Sequence, residues 1–193
     1  MYRQLKNKTT TVLSDLKIFS RDLLKKSDYE RWGTAKGLNK NWDSRTKKIA
    51  GLIDSQSSII EFGAGRLVLK SYIPSGCQYT PSDLVDRGGG TIVCDLNKKP
   101  LPEFQTYDFA VFSGVLEYVY DVESLVAHLS HRVSNVVASY AVLESNAGKR
   151  RQYGWVNHFK SKEFIDLFEQ AGFQCDHQEA WGGQLIYRFR KKV

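Results

Sequence analysis

The sequence predicts an α/β protein in which a mostly parallel sheet is finished by an antiparallel C-terminal hairpin and preceded by a helical extension. Three observations predict it. Apolar runs of strand length occur at 58–62, 77–82, 91–94, 107–113 and 134–142. Helix-like segments, "DVESLVAHLSHR" at 121–132 and "SKEFIDLFEQAG" at 161–172, punctuate the later runs, and buried strands separated by helices indicate a parallel sheet. The chain then closes on "FQCDHQEAWGGQLIYRFRKK", two strand-like runs around Gly182-Gly183, a pair suited to a tight hairpin turn.

Taken in order, residues 9–26 place Val12, Leu13, Leu16, Phe19, Leu23 and Leu24 at near-helical spacing, which predicts an amphipathic helix. The following "SDYERWGTAKGLNKNW" is polar, broken by glycine and carries Trp32 and Trp42; it reads as a loop, either a lid over a site or a staple to the core. Asp43 is a candidate cap for a second helix with Ile49, Leu52 and Ile53 on its apolar side. Ser161 is a candidate cap for the last helix, whose stripe of Phe164, Leu167, Phe168 and Ala171 stops at Gly172. The expected division is a helical cover over 1–50 and a sheet domain over 51–193.

Composition narrows the class. The 193 residues suffice for one domain with a substantial core. No apolar stretch approaches membrane-spanning length, and the N-terminus has no apolar core of a secretory signal. Cys77, Cys94 and Cys175 are odd in number and widely spaced, which argues against a disulfide framework or a zinc site and fits a reducing cytoplasm. No metal site is expected; His128 and His131, three apart on a helix, lack a partnering acid motif. Basic residues exceed acidic ones by 28 − 21 = +7. The surplus is scattered in short runs such as Lys149-Arg150-Arg151, more like solvated faces than a nucleic-acid stripe.

In open α/β sheets ligands sit beyond the carboxyl ends of the strands. Here those ends read "EFGAG", "YTPSD", "VCDLN" and "FSGVLEY", with an acid at or just beyond each of the first three. Gly63 and Gly65 clear backbone for a ligand or make a tight turn without one. Asp83 and Asp95 are able to accept hydrogen bonds from hydroxyls or an amine, or to cap turns. A cationic, hydroxyl-rich ligand suits the first of each pair of readings.

In these ordered motifs the chain resembles the class I S-adenosylmethionine-dependent methyltransferases over roughly residues 58–190. Glu61-Phe62-Gly63-Ala64-Gly65 resembles that family's glycine-rich first loop, Asp83 its ribose-binding acid, and Asp95-Leu96 the pair beside the adenine. "YDFAVFSGVLEYVYD" is similar to its fourth strand and following segment, adding Ser113 and Gly114 to the expected cofactor site. The resemblance implies a Rossmann-like sheet of seven strands with the last antiparallel, and S-adenosyl-L-methionine as cofactor. Two departures stand out: Leu67 where a third glycine is common, and "DLVDRGGGT", too short for a crossover helix between strands two and three.

The segment "RRQYGWVNHFKSKEF" lies where related enzymes contact the acceptor, unless it is a rigid tether for the last helix. His158 and Tyr153 are its candidates for orienting or deprotonating a nucleophile, His158 because its ordinary pKa lies near neutrality. The resemblance implies methyl transfer to an oxygen or nitrogen of a small-molecule or saccharide acceptor, and the basic surplus fits an acidic or phosphorylated one. Two alternatives stay open: a noncatalytic assembly protein that keeps the fold, and an RNA methyltransferase. The amino-methylating Asn/Asp-Pro-Pro-Tyr/Trp motif of many nucleic-acid enzymes is absent.

Overall fold

The computed structural model describes residues 18–148 and 150–192. Seven strands form one sheet in the order β3-β2-β1-β4-β5-β7-β6. These are β1 (Ser58–Phe62), β2 (Gln78–Asp83), β3 (Ile92–Val93), β4 (Tyr107–Ser113), β5 (Val133–Tyr140), β6 (Phe173–Trp181) and β7 (Gln184–Lys191). β7 runs antiparallel to both β5 and β6, and the pairs from β3 to β5 are parallel. The chain winds outward from β1 to β3 and returns to β4 on the other side of β1. Strand order therefore reverses between β1 and β4, the place where such sheets open a crevice.

Side chains alternate across the strands with the period of two that a pleated sheet imposes. Ile59, Phe109, Val111, Val137 and Ile186 face one side, where helix α2 (Asp43–Ala50) brings Ile49 and Ala50 against them. Ile60, Phe62, Ala110, Phe112 and Val136 face the other, under α3 (Val122–Ser130) and α6 (Ser161–Gln170). Aromatic rings dominate the second core: Phe168 stacks on Phe189 at 4.0 Å and Tyr140 on Phe164 at 4.4 Å. Each fully buried ring of this kind stabilises the fold by roughly 1.5–3 kcal/mol relative to exposure.

The connections on the β1–β3 side are lean. A single 3-10 turn, Leu69–Ser71, is the only helical element between β1 and β2. No helix joins β2 to β3; Gly88, Gly89 and Gly90 carry the link at φ of +80°, +63° and +81°, as the short "DLVDRGGGT" foreshadows. Helix α2, from the N-terminal extension, packs on β4, β5 and the Leu69–Ser71 turn.

Several local expectations need correction. The segment read as a loop holds helix α1 (Tyr29–Trp32), capped by the Asp28 carboxylate accepting from Arg31 N–H at 3.1 Å, and two 3-10 turns, Ala35–Gly37 and Lys40–Trp42. Asp43 is the first residue of α2 rather than its cap, because its carboxylate pairs with Arg66. Lys160, not Ser161, occupies the cap of α6; its N–H donates to Glu163 at 2.8 Å, while the Ser161 hydroxyl is engaged by the Tyr187 hydroxyl at 2.9 Å. Residues 18–23 are helical, with Phe19, Leu23 and Leu24 exposed; Val12, Leu13 and Leu16 of the same expected stripe lie outside the described residues. The three cysteines are free, and no helix among the described residues is long and apolar enough to cross a membrane.

Candidate functional site

A cavity of about 600 Å³ opens at the carboxyl edge of the sheet, over the reversal point. One end is walled by the β1 loop, Asp83, Leu96 and Asn97, the other by Trp42, Arg45, Trp181 and Gln184.

The β1 loop requires its glycines. Gly63 sits at φ +69°, and a Cβ there would lie 2.5 Å from Val115 Cγ2. Gly65 sits at φ +53° and donates its N–H to Asp83 at 2.8 Å. Ala64 between them is buried and bonds the Ser82 carbonyl at 3.0 Å, so the loop is pinned to β2. Leu67, at the position where a glycine is common, takes the left-handed conformation at φ +58°. The turn demands that conformation whichever residue stands there, and leucine pays a steric penalty for it.

Buried acids surround this end. The Asp83 carboxylate is 6% exposed and also pairs with Arg87 at 3.1 Å. Arg87, four residues on, donates as well to the Trp32 carbonyl, tying the acid to the extension. Glu61 is 3% exposed and lines the cavity, with the Tyr79 hydroxyl donating to Oε2. Burial pushes its carboxyl up to about 8, against the opposing pull of the Tyr79 hydrogen bond; the nearby Asp83 charge adds to the rise.

Asp95 is placed differently from its sequence neighbours. Leu96 and Asn97 face the cavity and Asp95 does not; its carboxylate accepts from the Ser27 hydroxyl at 2.5 Å, the Tyr29 hydroxyl at 3.1 Å and Asn97 N–H at 2.9 Å. Asn97 Nδ2 donates to Ser27 Oγ and to the Tyr118 carbonyl, both at 2.9 Å. The strand-three end thus fastens the N-terminal extension. Trp32 packs edge-on against Tyr118 at 4.9 Å, beneath the Arg31 guanidinium, and both Trp32 and Trp42 line the cavity.

Ser113 and Gly114, at the end of β4, line the cavity and support Arg45, which donates to Ser113 Oγ at 3.2 Å and to its carbonyl at 2.9 Å. Tyr153, in helix α5 (Arg150–Tyr153), which follows the short α4 (Leu143–Asn146), also lines it; its carbonyl accepts from Arg31 at 2.6 Å and its ring lies 4.9 Å from Trp155. His158 is not among the lining residues. Its side chain turns to Arg150, whose Nε donates to Nδ1 at 2.9 Å, and desolvation together with that cation lowers its pKa.

Arg150 explains the segment around it. It is 3% exposed and donates to the carbonyls of Ala141 and Asn157 and, at 3.0 Å, to the Tyr140 hydroxyl. Asn157 in turn donates to the carbonyls of Leu116 at 2.6 Å and Val119 at 2.8 Å. Of this polar and aromatic cluster, Tyr153 and Trp155 line the cavity, while Asn157 belongs to the buried tether. Arg45, Arg87, Arg150 and Gln184 escaped the sequence reading. Only Arg45 carries a signal: it lies one helical turn before Ile49, on the buried face of α2.

Residues 34–178 match the model of the family described as "Methyltransferase domain". No curated protein sequence matches the chain. Among solved structures, the Burkholderia thailandensis 1,6-didemethyltoxoflavin-N1-methyltransferase, with bound 1,6-didemethyltoxoflavin and S-adenosylhomocysteine, is 16% identical over 80% of this chain and 78% of its own, at a TM-score of 0.58. An O-methyltransferase of neocarzinostatin biosynthesis, in complex with S-adenosylmethionine and 2-hydroxy-5-methyl naphthoic acid, is 16% identical at a TM-score of 0.60 over 78% of this chain; the chain spans only 57% of that protein. A chain from the complex of the Haloferax volcanii Trm112 methyltransferase activator with a methyltransferase is 11% identical at 0.68, over 87% and 99%. Likeness at such identities speaks to fold alone, but the family model spans well over half of the chain. It belongs to the methyltransferase domain family, among the class I S-adenosylmethionine-dependent methyltransferases.

Proposed function

We propose that the chain transfers a methyl group from S-adenosylmethionine to an oxygen or nitrogen of a small-molecule acceptor. The observation that carries this is the continuity of the cavity. It runs from the glycine loop and Asp83 to an aromatic and arginine-lined end, with a volume typical of small-molecule sites.

The residues fit the cofactor. Gly65 lines the cavity at a positive φ with no neighbour closer than 3.5 Å to where a Cβ would stand, and the Asp83 carboxylate, with two strong partners, keeps lone pairs for ribose hydroxyls. Glu61 sets a buried acid on the wall, where a cationic ligand gains most from it. In this reading Glu61, Gly63, Ala64 and Gly65 hold the amino acid part, Asp83 the ribose and Leu96 the adenine edge, with Ser113 and Gly114 at the junction with the acceptor. When bound, the cofactor supplies an electrophilic methyl group on a sulfonium. The protein's task is then alignment of the nucleophile. Tyr153 is the residue proposed to orient it, and no role is given to His158. Of the N-terminal extension, the described residues 18–50 act as the cover: Ser27, Tyr29 and Trp32 meet the strand-end residues and α2 delivers Arg45.

Isothermal titration with S-adenosylmethionine and S-adenosylhomocysteine tests the reading. Wild type should bind both, and Asp83→Ala should lose binding by at least about ten-fold while staying folded, since a buried charge-assisted contact is removed. A screen for S-adenosylhomocysteine release would then identify acceptors. No binding by a well-folded wild type would overturn the proposal in favour of a noncatalytic assembly role.

A further inference from the structure

Arg45 brings a positive charge to the cavity wall, and no described carboxylate forms an ion pair with it; the buried acids Glu117 and Glu61 act on it only from a distance, and burial raises the pKa of both. Its side chain is buried, with the residue 6% exposed, and its three hydrogen bonds go to neutral oxygens: Ser113 Oγ, the Ser113 carbonyl and Gln184 Oε1, the last at 2.8 Å. A guanidinium has five N–H donors, so two have no acceptor among the described residues. Neither acid bonds it directly; Glu117 is linked to it through Gln184, whose Nε2 donates to Glu117 Oε1 at 2.9 Å. Glu117 is itself buried, with its other carboxylate oxygen unpartnered among the described residues, and burial favours its neutral form.

The setting is shaped for this group. Gly114 sits at φ +69°, and a Cβ there would fall 2.4 Å from Arg45 Nη1, so the missing side chain makes room for the guanidinium. The rings of Trp42 and Trp181 flank it at 5.8 and 5.3 Å. A cation withdrawn from water is expensive unless paired, and a planar fork with two spare donors suits an oxyanion.

Its position assigns it to the acceptor. Arg45 reaches from the end of β4 to Gln184 at the start of β7, beside Trp181 of the terminal hairpin. Asp83 and Gly65 lie on the other flank, beyond β1. We infer that Arg45 docks a carboxylate or phosphate carried by the acceptor. This rests on the reading of the cavity as a methyltransferase site with a small-molecule acceptor.

The test measures binding of salicylate, phenyl phosphate and neutral salicylamide by calorimetry, with and without saturating S-adenosylhomocysteine. Wild type should bind at least one anion about ten-fold or more tighter than the amide. Arg45→Met should abolish that preference and retain S-adenosylhomocysteine binding. Where the methionine variant does not fold, Arg45→Lys decides: it keeps the charge, loses the planar fork and should lower the preference. Equal binding of anions and amide by wild type, or a preference that survives both variants, overturns the inference. Loss of S-adenosylhomocysteine affinity in Arg45→Met with anion binding intact also overturns it, by moving the guanidinium to the cofactor. Failure of wild type to bind S-adenosylhomocysteine counts against the methyltransferase reading instead, and the anion preference measured without it still decides Arg45.

Discussion

If Glu61 holds the cofactor's amino acid part as proposed, cofactor binding should depend on pH. The Glu61 carboxyl, ordinarily near 4.5, is pushed up to about 8 by burial, so in the unliganded protein it is mostly neutral at pH 7. A cationic ligand at the cavity wall favours the carboxylate. If binding requires that form, apparent affinity is reduced by the factor 1 + 10^(pKa − pH), which is ~100 at pH 6, ~11 at pH 7 and ~2 at pH 8. S-adenosylmethionine should therefore bind roughly fifty-fold more tightly at pH 8 than at pH 6, taking close to one proton off the protein at the lower end. The stability of the free protein moves the other way. A carboxyl whose folded pKa lies above its unfolded value stabilises the fold fully below pH 4.5, and that contribution is lost as pH rises through 8, up to about 5 kcal/mol. Calorimetry in buffers of different ionisation enthalpy reads both affinity and proton release. Glu61→Gln is the control, because the ligand's own amine also titrates: the variant should lose the protein's share of the pH dependence and gain stability above pH 8. A wild-type profile that coincides with that of Glu61→Gln between pH 6 and 8 would refute the assignment.

Three further outcomes follow from named contacts. Gly63→Ala should weaken S-adenosylhomocysteine binding at least ten-fold in the same titration, because a Cβ at 2.5 Å from Val115 Cγ2 and a φ of +69° force the loop to move. Arg150→Ala should cost about 3–5 kcal/mol in urea unfolding by orphaning the buried carbonyls of Ala141 and Asn157; His158→Ala, at an exposed site outside the cavity, should cost under ~1 kcal/mol and leave turnover in place. Leu67→Gly relieves a left-handed leucine and should fall within about 1 kcal/mol of wild type, whereas Leu67→Val, β-branched at φ +58°, should be clearly less stable in the same measurement.

What could be read from the sequence was what the backbone itself advertises. Gly63 and Gly65 are needed for φ and clearance, and Asp83 ends a strand recognisable by its apolar run, so local pattern was enough to bring them to one edge of the sheet. The hairpin at Gly182-Gly183 was legible for the same reason, with both glycines at positive φ. Partners chosen by tertiary contact were not. Asp95 has the sequence context of a cofactor acid, yet its oxygens are taken by Ser27 and Tyr29, more than sixty residues away. His158 has the intrinsic chemistry of a base, yet Arg150 claims its ring nitrogen.

The arginines show why this boundary falls where it does. A basic residue is read as solvated by default, since burying it unpaired is unfavourable. Arg150 escapes that expectation through carbonyls that no helix or strand uses, and Arg87 through the acid that ends β2, four residues before it. Arg45 escapes it only in part: Ser113 and Gln184 solvate the guanidinium without neutralising it. A structural arginine would gain from an acid at either position, and a substitution of Gln184 by glutamate would provide one at hydrogen-bonding distance. Glutamine there keeps the two spare donors charged and turned over to a ligand, while its amide holds Glu117 in place on the other side. The contrast follows the two walls of the cavity: Asp83 beside the glycine loop bonds Arg87 and Gly65, whereas Arg45 toward the hairpin bonds only neutral oxygens, where an anion would complete the wall.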